Sequence, residues 1–463
     1  MADYLRSVSD RRSFLRRSAG LAALGITTSL TPDLAFAQSG TDLKGVTIDY
    51  WNMIGVQNKL IRQISEDVVK AFEQRTGCKV NVTWNGYGDI IGPKYRTNFV
   101  GGIKPTVMDT SGRWAGQLHE FLLPLDDLIA ADLDPEARAG LDWLLPLLRQ
   151  QNRGFKDGDR INSLPFNLVT QAPYLLNRDH LEKAGLKFEE HFPLRDSDHY
   201  IEVCKIIQEK AGIAYPTEVY GKMWDFGDTQ LPGWVRSVSI EDSDFLNADW
   251  TKSTGRSEAW LKGCQFYVDV FRKYGLSSPN SVQSADEEAV DQFMVGRKSI
   301  VHCDLLNRGT LLQRLPDQVK SGRIVWGPQF PLTGGTSGSQ GFIDTNAFYI
   351  IRQEGPDAEV KTKAAWEFMK EWMRADNMLA QANALGLCAR DDLWKQLHGT
   401  PDLFMDAAEK TMGDKPGIWA AHPRSVDFQY NLLAPHGQKM LQGSSVADEL
   451  KAYADEVDKA LAA

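Results

Sequence analysis

From residue 46 the chain alternates apolar and polar side chains, with Val46, Ile48 and Tyr50 separated by Thr47 and Asp49 and closed by Trp51. A period of two predicts a strand. Leu60, Ile61, Ile64, Val68 and Phe72 then recur at helical spacing up to Gly77, after which Val80, Val82 and Trp84 alternate again. A short apolar piece, Thr106-Val107-Met108, ends at Asp109. This strand–helix–strand–helix–strand succession predicts a parallel α/β sheet, because parallel neighbours need crossover connections. Ligands of such sheets sit beyond the carboxyl ends of the strands. The residues at those ends are Trp51-Asn52, Trp84-Asn85 and Asp109-Thr110-Ser111.

Helical spacing returns over 198–211, 255–274 and 284–296. Between the first two, residues 215–249 lose all periodicity, with Pro216, Gly221, Gly227, Pro232 and Gly233 interleaved with Trp224 and Trp234. A long irregular stretch inside a compact domain is a candidate functional loop. A strand at 299–303, a helix at 307–315 and a strand at 324–326 follow. A glycine-rich loop at 334–339 precedes a strand at 347–351, and helices at 357–374, 376–384, 401–412 and 446–462 complete the chain. No internal repeat or low-complexity tract is present.

A length of 463 residues, 42% hydrophobic and 24% charged, predicts two or three domains with ample core. Asp and Glu number 61 against 52 Lys and Arg, a net charge of −9 that disfavours nucleic-acid partners. Some of the basic charge sits in an N-terminal address. Arg11-Arg12 stands ahead of Phe14-Leu15, a mild apolar run covers 19–30, and Ala35-Phe36-Ala37 offers a small-x-small cleavage site. This arrangement resembles a twin-arginine export signal over residues 1–37. Its apolar run is too short to span a bilayer. The expectation is an exported product starting near Gln38, with 47 basic and 58 acidic residues.

Most catalytic signatures are missing. The eight His form no His-Glu-x-x-His pair, and Cys78, Cys204, Cys264, Cys303 and Cys388 contain no Cys-x-x-Cys, so no zinc, haem or iron–sulfur site is read and no cofactor is expected. One disulfide is open to an exported chain, although buried thiols are the simpler fate. There is no Walker A loop, and Gly86-Tyr87-Gly88 lacks the third glycine of a dinucleotide fingerprint. The 334–341 loop does not match Gly-x-Ser-x-Gly. Lys156-Asp157-Gly158-Asp159 resembles half a calcium loop without its later ligands and reads as a turn.

Several segments, in order, resemble the family 1 extracellular solute-binding proteins of ABC importers, the maltose-binding-protein-like group. Thr47-Ile48-Asp49-Tyr50-Trp51 with the helix that follows is similar to the family's opening. Leu122-Leu123-Pro124-Leu125-Asp126 is similar to its "G-x-L-x-P-L-D" passage. Leu164-Pro165-Phe166 and Tyr174-Leu175-Leu176-Asn177-Arg178 resemble the start of its second lobe. Phe293-Met294-Val295-Gly296-Arg297-Lys298 resembles "F-x-x-G-K-A-A". Ala365-Trp366-Glu367-Phe368-Met369-Lys370, with Gly386, Ala389 and Arg390, resembles its closing block. Ser445-Val446-Ala447-Asp448-Glu449-Leu450 resembles its last helix, except that Glu449 replaces a small residue.

The resemblance implies an α/β, two-lobed periplasmic binding protein fold of type II, with lobes joined by crossing hinge segments. The expected N-terminal lobe is 38–160 with a return segment near 328–385; the expected C-terminal lobe is 161–327 completed by 386–463. It implies a periplasmic, monomeric, non-enzymatic protein that captures a small solute, most readily a carbohydrate or polyol, and delivers it to the permease subunits of an ABC transporter. The alternatives are an exported enzyme carrying a cofactor, and a polysaccharide binder without transport.

Rigid aromatic faces with converging polar groups hold such solutes. At the strand ends, Trp51, Asn52 and Trp84 are candidates for ligand contact or for core packing, and Asp109 for a hydroxyl acceptor or a helix N-cap. In the irregular stretch, Trp224 and Trp234 are candidate platforms beside Asp225, Asp228 and Gln230. The resemblance adds Asp304 and Asn307, Gln340, Phe342 and Asp344, and Tyr430 as cleft positions. Arg113, Arg308 and Arg424 would pair either with an acidic ligand group or with surface carboxylates. Trp366 and Trp372 belong to a helical stripe and read as core.

Overall fold

The computed structural model describes residues 43–462 apart from 57–58, 87–93, 157, 159, 171–172, 223–224 and 339–340. The export address, Trp224 and Gln340 therefore lie outside the described residues.

The three alternating segments form β1 (Thr47–Asn52), β2 (Lys79–Trp84) and β3 (Val107–Ser111), all mutually parallel through β1. The helix Lys59–Thr76 makes the first crossover and buries Ile61, Val68 and Phe72, the stripe predicted from their spacing. β4 (Leu164–Thr170) follows, and then the chain enters a second, three-stranded sheet. In it β5 (Tyr174–Asn177) lies between β6 (Ile300–His302) and β7 (Ile324–Gly327), antiparallel to both. Both faces of this small sheet are covered, which explains its unbroken apolar runs. Leu175, Val301 and Trp326 join the core of the larger sheet, while Tyr174, Leu176, Ile300 and Val325 join a separate core.

The chain returns to the larger sheet as β8 (Phe342–Ile350), which inserts antiparallel between β3 and β4. β9 (Leu387–Cys388) adds to β4, and β10 (Gly417–Ile418) pairs with the start of β8. The sheet is thus mixed, in the order β2-β1-β3-β8-β4-β9. Thr170 pairs with Ile343 and Ser111 with Asn346, so the first residues of β8 share an edge with the carboxyl ends of β1, β3 and β4. β4, β9 and β10, which the expected boundaries assign to the C-terminal lobe, are hydrogen-bonded into this larger sheet.

The irregular stretch at 215–249 contains a helix that periodicity misses, Leu231–Val238, opened by Pro232 in its first turn, where a missing N–H costs nothing. The helical pattern at 198–211 closes as a π-turn over Ile207–Ala211, and a second π-helix spans Asp427–Leu433. Trp366 and Trp372 are core residues. All five cysteines are free and buried. No helix among the described residues is long and apolar enough to cross a membrane.

Candidate functional site

At the carboxyl end of β1 the chain must turn sharply, and the turn's backbone N–H groups need acceptors. Asp109 supplies them: its Oδ1 accepts from Met53 and Ile54, each at 3.0 Å, and its Oδ2 accepts from the Tyr50 hydroxyl at 2.5 Å. Asn52 completes the set, its Oδ1 accepting from Gly55 N–H at 2.7 Å and its Nδ2 donating to the Tyr50 hydroxyl at 2.6 Å. Both Asp109 and Asn52 are fully buried. Burial pushes the Asp109 carboxyl up to about 6, against the opposing pull of its three donors. Asp109 is therefore neither a helix cap nor an open acceptor here. It shapes the edge.

Two aromatic residues rest on this turn. Trp84 lies over Gly55, where a Cβ would come within 2.3 Å of the indole, and stacks beneath the Arg62 guanidinium at 4.5 Å. Trp51 packs on Tyr95 and Phe99, with ring centroids 5.0 and 5.9 Å away. Trp51 and Trp84 keep part of their surface in solvent.

Directly after β3, Arg113 is 6% exposed and makes the densest polar contact of this edge. Its two terminal nitrogens hold Asp228 in a bidentate pair at 2.8 and 3.0 Å; one also donates to Gln429 Oε1 at 3.0 Å. Its Nε lies 3.0 Å from Asp344 on β8, which also accepts from the Ser111 hydroxyl at 2.6 Å. Burial works against the guanidinium's charge, but Asp228, Tyr430 and Asp344 together outweigh it and raise the pKa. The Asp344 carboxyl stays above its ordinary value because burial exceeds the pull of Arg113 and Ser111. Asp228 and Gln429 come from segments flanked by Phe226, Phe428 and Leu433, which belong to the second core. Arg113 thus ties the edge of the larger sheet to the other body.

Beside the clamp, Phe342 stacks on Trp419 at 4.0 Å, and Trp419 stacks in turn on Phe245 at 4.7 Å. Phe342 and Tyr430 are nearly inaccessible in this conformation, and Trp234 is wholly so, packed edge-on against Phe266 and His302. Asp304 follows β6 and accepts from Leu306 N–H at 2.9 Å; Asn307 opens the helix Asn307–Arg314. Both are half-buried, as are Asp225 and Asp286 nearby. The side chains that the structure brings to accessible positions are therefore Trp51, Trp84, Asp304 and Asn307. Asn52, Asp109, Trp234, Phe342, Asp344 and Tyr430 are buried.

Of the three arginines, none leaves a guanidinium without a carboxylate. Arg308 pairs with buried Asp402 at 3.0 Å, and Arg424 with exposed Asp427 at 3.3 Å. Asp286, Trp419 and Gln429 escape sequence reasoning. Asp286 reads as an ordinary acid in a first helical turn, and the other two sit in segments without an amphipathic stripe. Among the described residues no group of His, Cys, Asp or Glu is arranged to hold a metal.

The model of the bacterial extracellular solute-binding protein family matches residues 58–379. No curated protein matches the chain in sequence. Among solved structures, an ABC transporter solute-binding protein from Thermotoga lettingae TMO bound with α-D-tagatose is similar at 18% identity. The match covers 90% of this chain and 100% of that one, with a TM-score of 0.70. Maltose-bound MalE3 of T. maritima is similar at 16% identity, over 90% of this chain and 100% of that one, with a TM-score of 0.69. A solute-binding protein from Agrobacterium radiobacter K84 in complex with ribitol is similar at 18% identity over the same shares, with a TM-score of 0.68. These likenesses establish the two-lobed type II binding-protein fold.

Proposed function

Because the chain belongs to the bacterial extracellular solute-binding protein family, we propose that it captures a carbohydrate or polyol at the carboxyl edge of the larger sheet and hands it to the permease of an ABC importer. The observation that carries this reading is that half-buried Trp51 and Trp84 stand at the ends of adjacent strands on that edge, which Arg113 ties to Asp228, a carboxylate whose charge reaches half-buried Asp304. Sugar C–H faces stack on indole rings, and their hydroxyls pair with carboxylates and amides. Burying those groups without partners costs about 1–3 kcal/mol each, which gives the site its selectivity. That similar structures hold tagatose, maltose and ribitol supports this choice of solute. No proton transfer is required; association and domain closure are the whole function.

The division of the chain that fits this reading runs through residues 170–174, so that β4 stays with the first lobe. Trp51, Trp84, Asp304 and Asn307 are the ligand contacts we assign, with Trp224 and Gln340 as further candidates from the sequence. Asn52, Asp109 and Asp344 position the edge. We assign the chain to the periplasm, reached through the twin-arginine address at Arg11-Arg12, and to a monomeric state.

A thermal-shift screen over sugars, polyols, sugar acids and amino acids tests the reading. A ligand at 100 times its dissociation constant adds about 2.7 kcal/mol, and at least one sugar or polyol should raise the midpoint. Silence across the panel, or a response confined to amino acids, would overturn the carbohydrate assignment.

A further inference from the structure

Three segments meet beside the Arg113 clamp. Gly221 and Lys222 N–H donate to the Ser281 and Ser284 carbonyls at 2.8 and 3.1 Å, which lays residues 220–228 along 281–286. The Tyr220 hydroxyl donates to the His302 carbonyl, which brings in the end of β6 and with it Asp304. Within this junction the Asp225 and Asp286 carboxyls lie close enough to act on each other's charge. Asp225, Asp286 and Asp304 are all half-buried.

The nearby cations are committed elsewhere. Arg113 serves Asp228 and Asp344, and Lys222 pairs with exposed Glu288 at 3.5 Å. Among the described residues no cation pairs with Asp225, Asp286 or Asp304. Burial first, and then repulsion from neighbouring carboxylates, pushes all three carboxyls up, Asp286 to about 7.

A second observation points to an absent ligand. Gln429 is 1% exposed and its Nε2 has no hydrogen-bond partner. Its Oε1 is bound to the same Arg113 nitrogen that holds Asp228, so the amide end sits beside Asp228, whose charge acts on all three carboxyls. Gly227, at φ +80°, permits that approach, since a Cβ there would meet the Leu433 side chain at 2.7 Å. A buried amide N–H left open needs an acceptor, which a hydroxyl oxygen supplies. A bare metal ion is a poor match, because these residues form no metal-ligand set.

We propose that the solute carries a cationic nitrogen beside its hydroxyls, as an amino sugar or amino polyol does, with the ammonium among Asp225, Asp286 and Asp304 and a hydroxyl on Gln429. This rests on the binding reading above and narrows it. An ammonium relieves the repulsion between the three carboxyls and favours loss of the proton from Asp286, whose carboxyl is raised to about 7; a neutral hydroxyl does neither.

Titration calorimetry of the whole chain at pH 7, in two buffers of different ionisation enthalpy, tests the proposal with matched pairs. The pairs are glucosamine and glucose, galactosamine and galactose, and glucamine and sorbitol, with N-acetylglucosamine as an uncharged control. Charge-assisted hydrogen bonds exceed neutral ones enough to favour the amine of the best pair by about tenfold. Its binding enthalpy should depend on the buffer, reporting proton release. Asp225→Asn and Asp286→Asn should erase the preference rather than weaken amine and parent alike. Equal or tighter binding of the neutral parents overturns the cation and leaves solute binding intact. Silence from every pair also overturns it, whereas the binding reading fails only if the wider thermal-shift panel is silent too.

Discussion

Arg113→Met removes the clamp while keeping most of the side-chain volume. The wild-type guanidinium is 6% exposed and serves two carboxylates, a bidentate pair to Asp228 and a 3.0 Å contact to Asp344. Without it, among the described residues Asp344 keeps the Ser111 hydroxyl and the Thr345 N–H as the donors that stabilise its charge. Breaking a buried ion pair from one side costs about 3–5 kcal/mol. With an unfolding entropy of about 2.1 cal/mol/K per residue over roughly 420 residues, that is a fall in Tm of about 3–6 °C. The effect should be nearly insensitive to salt, since buried pairs are poorly screened. Urea unfolding of the wild type, Arg113→Met, Asp228→Asn and the double variant closes a cycle, in which close charge pairs show about 1.5 kcal/mol of coupling or more. A coupling below about 0.5 kcal/mol, the usual additivity error, would refute the claim that this pair ties the two bodies together.

Asp109→Asn should change the pH dependence of stability. The folded carboxyl sits at about 6 against an ordinary 3.8, so its contribution is fully present below pH 4 and is lost as pH rises through 6. At about 1.4 kcal/mol per unit the loss is about 3 kcal/mol, and the wild type minus variant difference in urea unfolding should fall by that order between pH 4 and pH 7.5. A flat difference would contradict the burial argument. Trp51→Ala should weaken binding of the identified solute by about tenfold, or about 1.4 kcal/mol, with unchanged far-UV circular dichroism; isothermal calorimetry reads it, and an unaltered isotherm would make Trp51 a packing residue. Gly227→Ala places a side chain at φ +80°, at a cost of about 1–2 kcal/mol, and should lower the urea midpoint while a surface glycine exchanged at a negative φ does not.

The regular elements are legible where local pattern and tertiary burial agree. β1, β2 and the helix Lys59–Thr76 match their alternation and stripe almost to the residue. β8 is legible only over its apolar end, 347–351, because Asp344, Thr345 and Asn346 interrupt the run. They are nonetheless buried, with Asp344 held by the clamp and Asn346 by the Asn167 amide. Helix Leu231–Val238 is hidden by Pro232 and Gly233, which break periodicity yet are tolerated in a first turn. The mixed sheet is also out of reach, because a late strand slots between early ones.

The site is legible as a place more than as a set of contacts. Strand-end logic leads to Asn52, Asp109 and Arg113, but buried hydrogen bonding decides their roles. Asp109 serves N–H groups 55 and 56 positions away, and Arg113 reaches partners 115 and 316 positions away. No local pattern encodes such separations. Trp234 shows the same limit, since an indole in an irregular stretch reads alike whether it faces a ligand or, as here, a core of Phe266, Tyr267 and His302.

The most direct measurement is a crystal structure of the chain with the solute that the thermal-shift screen identifies. Density for that solute is predicted at the carboxyl edge of the larger sheet, stacked on Trp51 or Trp84 and within hydrogen-bond distance of Asp304. Density on another face of the molecule, with that edge empty, would contradict the assignment.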